Sequence, residues 1–538
     1  MRIVLLLCVF LVSSVTSTLH PSPSETREVL SLDGLWNVLK DNEKEGIGKK
    51  WFKNNLNWRV PTKNFPVPSS EKDDHIFGIG AWYDRNYFIP LRWREKTKVW
   101  IQFGKLKAEA IVWINGRIAG KKTSSLTVPL HFEITEYVKF GKENRITVFL
   151  QSGDSSYLNI PESVVVFTTP ETFIEDIKIS TDLIANIGYL FFNVTHSLNK
   201  SKLNTTILVR DRQNILVANE KSMGSGVIRI DDIKPWWPNL MHSDPGYLYS
   251  VEVRVTSDNH TLLDSYKLKT GFRTLKWDTT DLMVNGKIMY LHGFGFNKTE
   301  TPWNDLSSIA NLNGNLILAN EDVLSQSLLE MADELGLMVV VNCYGKIDSF
   351  DQISLNSHKS AIENALKNYM NHPSIMVWSL GAVADLNSFG GTSYFKIIKT
   401  FTHSLDPNRP ITAIVNAFDI ENNIDYQFAH YLDIISLSIQ IEEGTLNIST
   451  LAKKGIEWNE KYNRPVIVAQ YGKEMYKTLD RFGDSFDIMK DHKALIGEIL
   501  NSYQEFNDFC KYSTINGTEY LSEIGSRYIS FYPPGRKN

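Results

Sequence analysis

The chain has 538 residues, too many for a single hydrophobic core, so two to four domains are expected. A hydrophobic content of 42% beside 22% charged residues excludes wholesale disorder. The net charge of -4 gives no electrostatic reason to expect nucleic acid or an anionic membrane surface as a partner.

Residues 1–17 read as a secretory signal peptide. Arg2 supplies the positive start, Ile3 to Val12 form a short apolar run, and Val15 and Ser17 suit the −3 and −1 cleavage positions. The run is too short to span a bilayer and no later stretch approaches that length, so no membrane anchor is expected. The reading predicts a secreted protein, with export preferred over delivery to the lysosome. Triplets for N-glycosylation stand at Asn193, Asn199, Asn204, Asn259, Asn297, Asn447 and Asn516, and their number suits a secretory route. Cys8 leaves with the signal. Cys343 and Cys510 then either pair or stay reduced, and the sequence does not choose between the two. No Cys/His spacing resembles a metal site, and no cofactor is expected.

From about residue 18 to 170 the chain alternates short apolar segments with Pro, Gly and Asn. Lys98–Phe103, Ala110–Ile114 and Asn144–Leu150 are strand-like, and Asn115-Gly116 is a favoured pair for a tight hairpin turn. The pattern predicts an antiparallel β-sandwich. Residues 171–277 continue it, with Tyr247–Val255 the clearest alternating strand, and predict a second, immunoglobulin-like sandwich. After Trp277 helical patterns over Asp322–Leu335 and Ser360–Met370 alternate with apolar runs at Leu337–Val341, Ile375–Leu380, Ile434–Ser438 and Val466–Gln470. Strand, helix, strand at this spacing predicts parallel strands, and residues 278–538 match the roughly 250 residues of a (β/α)8 TIM barrel. A doubly wound open sheet is the competing layout, but no Gly-rich nucleotide turn follows the first strand.

Two sandwiches followed by a barrel is the architecture of the family 2 glycoside hydrolases, and particular words resemble the animal β-glucuronidases. They include Leu32-Asp-Gly-Leu-Trp36, Val67-Pro-Ser-Ser70, Trp82-Tyr-Asp-Arg85 and Val112-Trp-Ile-Asn-Gly116. Trp236-Trp-Pro-Asn-Leu-Met-His242 and Tyr247-Leu-Tyr-Ser250 follow, then Gly271-Phe-Arg-Thr274, Val284-Asn-Gly-Lys-Ile288 and Leu291-His-Gly293. Asn371-His-Pro-Ser374 and Ser404-Leu-Asp-Pro-Asn-Arg-Pro410 keep the same order. The resemblance implies a jelly-roll-like sugar-binding sandwich, an immunoglobulin-like sandwich and a TIM barrel. Most of these words are scaffold, so they speak for fold more than for activity.

Retaining glycoside hydrolysis needs a carboxylic acid to protonate the leaving oxygen and a carboxylate to attack the anomeric carbon, about 5–5.5 Å apart. The family's acid/base lies in a Trp-Ser-x-x-Asn-Glu-Pro segment, which reads Trp378-Ser-Leu-Gly-Ala-Val-Ala384 here. Val383 therefore takes the acid/base position and Ala382 the place of the substrate-binding Asn. The nucleophile's Pro-Ile-Ile-x-Ser-Glu-Tyr-Gly segment reads Pro465-Val-Ile-Val-Ala-Gln-Tyr-Gly472, with Gln470 at the nucleophile. Valine has no proton to give, and an amide is a poor nucleophile.

The surroundings differ too. Leu318–Val323 replaces an Arg-Thr-Ser-His-Tyr-Pro strand, Val341-Asn342 an Asp-Glu pair, and Ser438–Ile441 an Asn-Ser-Tyr-Tyr region. No Trp-Asn-Phe counterpart follows Cys510, no Asn-x-Lys motif grips a uronate, and the barrel is expected to be truncated, without its last helix. Asn297-Lys-Thr-Glu300 stands where the family has Asn-Lys-His-Glu, and a glycan on Asn297 would obstruct the former cleft. Asp385, Glu474, Glu321 and Glu300 are the acids weighed as replacements. A two-residue offset along an extended chain moves a side chain roughly 6–7 Å, more than the whole carboxylate separation.

The sequence therefore predicts an inactive homologue of a retaining β-glucuronidase, kept to bind a glycan or a protein. An active glycosidase with relocated acids and a structural subunit of an oligomer are the alternatives. The family resemblance implies a homo-oligomer.

Overall fold

A computed structural model describes residues 19–53, 63–68, 77–95, 97–106, 108–122, 128–197, 203–297, 302–311, 313–320, 324–383, 390–416, 427–438, 448–471 and 494–500. The signal segment, Asn199, Asp385, Glu300, Glu321, Asn447, Glu474, Cys510 and Asn516 lie outside these residues.

Four antiparallel strands face six in the first sandwich, and its core lies between them around Trp36, Tyr83, Phe103 and Ile146. The long central strand Phe77–Ile89 pairs along its length with Lys142–Tyr157. The strand Glu109–Ile114 returns as Arg117–Lys122 through Asn115 (φ 51) and Gly116 (φ 77). Both left-handed residues are what the Asn-Gly pair supplies in a hairpin turn. The second sandwich packs a three-stranded sheet, Ile174–Ile184, Ile187–His196 and Ser225–Ile230, against a four-stranded one that contains Tyr249–Thr256. Alternation places Val251, Val253 and Val255 inside, as the sequence pattern requires.

The third region is a closed barrel of eight parallel strands. In chain order these are β1 (Leu291–Phe296), β2 (Leu316–Asn320), β3 (Met338–Asn342), β4 (Ile375–Val383), β5 (Ile411–Asn416), β6 (Ile434–Ser438), β7 (Val466–Tyr471) and β8 (Leu495–Leu500). β8 pairs with β1 through Leu291–Gly497 to Phe294–Leu500, and this closes the ring. The open doubly wound alternative is thereby overturned, and the ring of strands is complete. The segment after β8, where a last helix would stand, lies outside the described residues. The crossover helices include α1 (Pro302–Asn311), α2 (Gln326–Leu335), α3 (Gln352–Tyr369), α4 (Gly391–Leu405) and α5 (Ile448–Tyr462).

Helix α3 begins eight residues before the apolar periodicity suggests, because Asp351 caps it by accepting the Ser354 N–H at 2.7 Å. Its first two turns are mostly polar, so hydrophobic spacing alone does not reveal them. Beneath the ring, Leu282, Val284 and Met289 pack with Leu316, Met338, Met376 and Ile434 into the lower core.

The second sandwich is fixed to the barrel at Asn371-His-Pro-Ser374. Asn371 accepts the Ile179 N–H at 2.8 Å and donates to the Ile177 carbonyl at 2.6 Å, splinting a strand of the sandwich onto the loop that enters β4. Arg273, at the exit from the sandwich, donates to the carbonyls of Pro373 and Ile375, each at 2.6 Å. Asn371→Ala would leave two backbone groups without their partner, a loss of about 1–3 kcal/mol each where they are shielded from water. The expected outcome is a lower urea midpoint for the sandwich and barrel transitions, with the first sandwich's transition unmoved.

Candidate active site

In a barrel of this kind the reactive end is where the strands finish. Val383 is the last residue of β4 and pairs with Val415 of β5 and with Ile347. It is 6% exposed and belongs to the apolar layer between strands and helices that includes Ile347, Leu355 and Tyr394. Ala382, the residue before it, borders the inner core instead. Gln470 is the penultimate residue of β7. The two positions singled out in the sequence thus finish two different strands at the same end of the ring.

Just before its end, β4 makes an irregularity between Ser379 and Ala382. Gly381 sits there at φ +117, and a Cβ on it would meet the Tyr344 carbonyl oxygen at 2.5 Å. Only glycine fits, for reasons both of backbone conformation and of space.

The inner ends of β2, β3 and β4 carry a chain of neutral polar groups. Asn342 donates from Nδ2 to Asn320 Oδ1 at 2.8 Å, and Ser379 donates from Oγ to Asn342 Oδ1 at 3.0 Å. On the far side Thr412 and Ser436 share a hydrogen bond of 2.8 Å between their hydroxyls. The eight strands hold a single carboxylate, Glu498 of β8. It is 2% exposed, and its Oε1 lies 3.5 Å from Nδ1 of His292 on β1, its register partner. His292 is only the second residue of its strand, so this pair lies below the strand ends, inside the wall.

Sequence reading treated His292 as scaffold and passed over Glu498. The available signal was an acid in an otherwise apolar run, Leu495-Ile-Gly-Glu-Ile-Leu500. β8 ends at Leu500, so the segment that follows the last strand starts before Cys510.

Behind the strand ends stands an aromatic prop. His358 on α3 bonds through Nδ1 to the Tyr394 hydroxyl of α4 at 3.0 Å, and the Tyr344 ring stacks on it at 4.6 Å. Burial pulls the His358 pKa down to about 4, with a hydrogen bond from the ring to the Leu380 backbone carbonyl acting in the other direction. A folded-state value below the ordinary 6.5 means that the unfolded chain binds the proton more readily. Stability from this group is therefore complete above about pH 6.5 and is lost as pH falls toward 4. We expect the thermal midpoint to fall between pH 7 and pH 5, and His358→Gln to flatten that dependence, as scanning calorimetry at the two pH values would record.

A cavity of about 420 Å³ is lined by Asn186, Asp232, Lys234, Trp237, His242 and Tyr247 among others. Trp237 precedes Asn239, whose N–H bonds the Gly336 carbonyl just ahead of β3. The cavity is thus at the opposite end of the barrel from Val383. Among the described residues no group of three or more His, Cys, Asp or Glu is placed to hold a metal ion. Cys343 is buried, with its sulfur 3.6 Å from the Val341 carbonyl oxygen. No helix among the described residues is long and apolar enough to cross a membrane. Of the candidate glycosylation sites, Asn193, Asn259 and Asn297 are exposed and Asn204 is half-buried, with Asn297 immediately after the end of β1.

Three family models match in succession. The sugar-binding domain of the family 2 glycosyl hydrolases covers residues 59–166, the model described as glycosyl hydrolases family 2 covers 172–273, and the family 2 TIM-barrel domain 276–526. The chain belongs to glycosyl hydrolase family 2. Within that family it is β-glucuronidase-like. Human β-glucuronidase is 29% identical over 579 residues, spanning 91% of this chain and 87% of the relative. The Chlorocebus aethiops β-glucuronidase is 28% identical over 85% of this chain and 80% of its own length. Among solved structures, Ruminococcus gnavus β-glucuronidase superposes with a TM-score of 0.79 at 20% identity, over 91% of this chain and 94% of that one. An uncultured Clostridium β-glucuronidase gives 0.76 at 22% identity over 90% and 92%. The family 2 scaffold therefore runs through both sandwiches and the barrel.

Proposed function

We propose that this family 2 chain is a secreted, glycosylated pseudoenzyme: a β-glucuronidase scaffold that no longer cleaves glycosidic bonds and instead binds a glycan or a protein outside the cell. The observation that carries the reading is the chemistry at the ends of β4 and β7, where Val383 and Gln470 stand in the positions that the family resemblance assigns to the acid and the nucleophile. The single strand carboxylate, Glu498, supports it as well, since one acid beside a histidine and below the strand ends lacks the second carboxylate that a retaining mechanism requires. The neutral chain Asn320–Asn342–Ser379 offers hydrogen bonds but neither proton donor nor anion. Secretion is supported by the N-terminal segment and the seven sequons.

The names of the relatives favour a second reading, an active β-glucuronidase-type hydrolase. It requires acids from outside the strands, with Asp385 and Glu474 the first to test. Turnover of an aryl-glucuronide and of a panel of aryl-glycosides by the secreted protein separates the two readings. We expect rates at the level of buffer, and only feeble turnover from the Val383→Glu, Gln470→Glu double variant, because substrate-gripping groups differ as well. Turnover that vanished in Gln470→Ala, Asp385→Asn or Glu474→Gln would overturn the proposal.

A further inference from the structure

The three-stranded sheet of the second sandwich turns one face to solvent. Along Ile187–His196, Phe192 and Val194 point into the core, while Phe191, Asn193 and Thr195 alternate with them and are exposed. Phe191 is 42% exposed, and directly across from it on the edge strand Ser225–Ile230 stands Val227, 51% exposed. Asn193 lies between Ser225 on that strand and Lys178 on Ile174–Ile184. A large aromatic and a β-branched residue side by side, one of them on an edge strand, form the kind of surface that pairs with other chains unless it is covered.

Asn193-Val-Thr195 is one of the seven sequons, and it alone has an aromatic residue two positions ahead of the asparagine. In a strand that spacing puts the two side chains on one face, roughly 6–7 Å apart, which is the reach of one sugar ring. A pyranose has an apolar face of C–H groups that can lie flat on an aromatic ring, and Phe191 presents such a ring beside the attachment point. We propose that Asn193 carries an N-linked glycan whose first sugar stacks on Phe191 and covers the Phe191–Val227 pair. The inference rests on the secretory reading above. The attachment transfers an oligosaccharide from a lipid-linked diphosphate donor: the bond from C1 to the donor phosphate oxygen breaks, a bond from C1 to the Asn193 amide nitrogen forms, and the amide loses a proton as the lipid diphosphate leaves. Thr195 completes the acceptor triplet on the same exposed face.

The test uses the full chain secreted from animal cells under its own N-terminal segment. Peptide mapping after enzymatic deglycosylation, which leaves aspartate at each occupied asparagine, should find Asn193 filled in most molecules, and Asn193→Gln and Thr195→Ala should each remove one glycan's mass. Phe191→Ser should lower the melting temperature of the glycosylated chain by about 2–4 °C more than it lowers that of the Asn193→Gln chain. If Phe191→Ser is not secreted, Phe191→Leu, apolar but without a ring, replaces it. Asn193→Gln should raise binding of a hydrophobic dye, and adding Phe191→Ser should reverse the rise. Secretion with other sequons filled and Asn193 empty, or equal melting shifts in both backgrounds, would overturn this inference alone. Retention in the cytosol with every sequon empty would overturn the secretory reading and this one with it.

Discussion

Two guanidinium groups, buried where the second sandwich meets the barrel, hold the start of β4. Arg273 bonds the carbonyls of Pro373 and Ile375; Arg409 reaches the same Ile375 carbonyl at 2.8 Å and those of Met370 and His372 at 2.8 and 3.1 Å. Buried cations are tolerable only when their donors are used and a counter-charge is near. Asp406 supplies it, 2.7 Å from Arg409 and bonded also by the Trp378 indole at 2.9 Å. Burial pushes the Asp406 carboxyl up, but Arg409, the indole and the Asn408 N–H outweigh it and leave its pKa below the ordinary value. Burial and then the neighbouring Arg409 draw Arg273 down to about 9, against the pull of Asp406 and Asp333. Asp333 completes the cluster by accepting the Ser374 N–H at 2.9 Å and lying 2.6 Å from His372. The direction in which β4 runs, and hence where Val383 ends, starts from this cluster.

The parts of the fold that repeat a local rule were legible in the sequence. Period-two alternation marks Tyr249–Thr256, and the Asn115-Gly116 pair marks the hairpin of Glu109–Ile114 with Arg117–Lys122, because each depends on a few adjacent residues. Runs such as Met338–Asn342 and Val466–Tyr471 are recognisable as buried parallel strands, since such strands are apolar on both faces. The start of α3 was hidden because polar turns carry no apolar period. β8 was hidden because Glu498 interrupts its run and only the ring's closure on β1 explains why it belongs there.

The site divides the same way. Val383 and Gln470 stand out because the family words that this chain resembles carry acids there, a comparison that needs nothing beyond the chain order. The hydrogen-bonded series Asn320, Asn342 and Ser379 comes from three strands, and the His358–Tyr394 prop from two helices. Their neighbours are fixed by the register of the barrel, so their roles are visible only in three dimensions. The two arginines behave similarly: each falls in a scaffold word, yet their shared acceptor at Ile375 emerges only on folding.

The neutral strand ends carry an energetic consequence for the scaffold itself. Two ionised carboxylates about 5 Å apart would repel by about 3 kcal/mol at an effective dielectric of 20, which is why a retaining hydrolase keeps one of its two acids protonated. With a hydrocarbon finishing β4 and an amide near the end of β7, neither of these two places holds a titrating group, and neither needs its pKa raised by its surroundings.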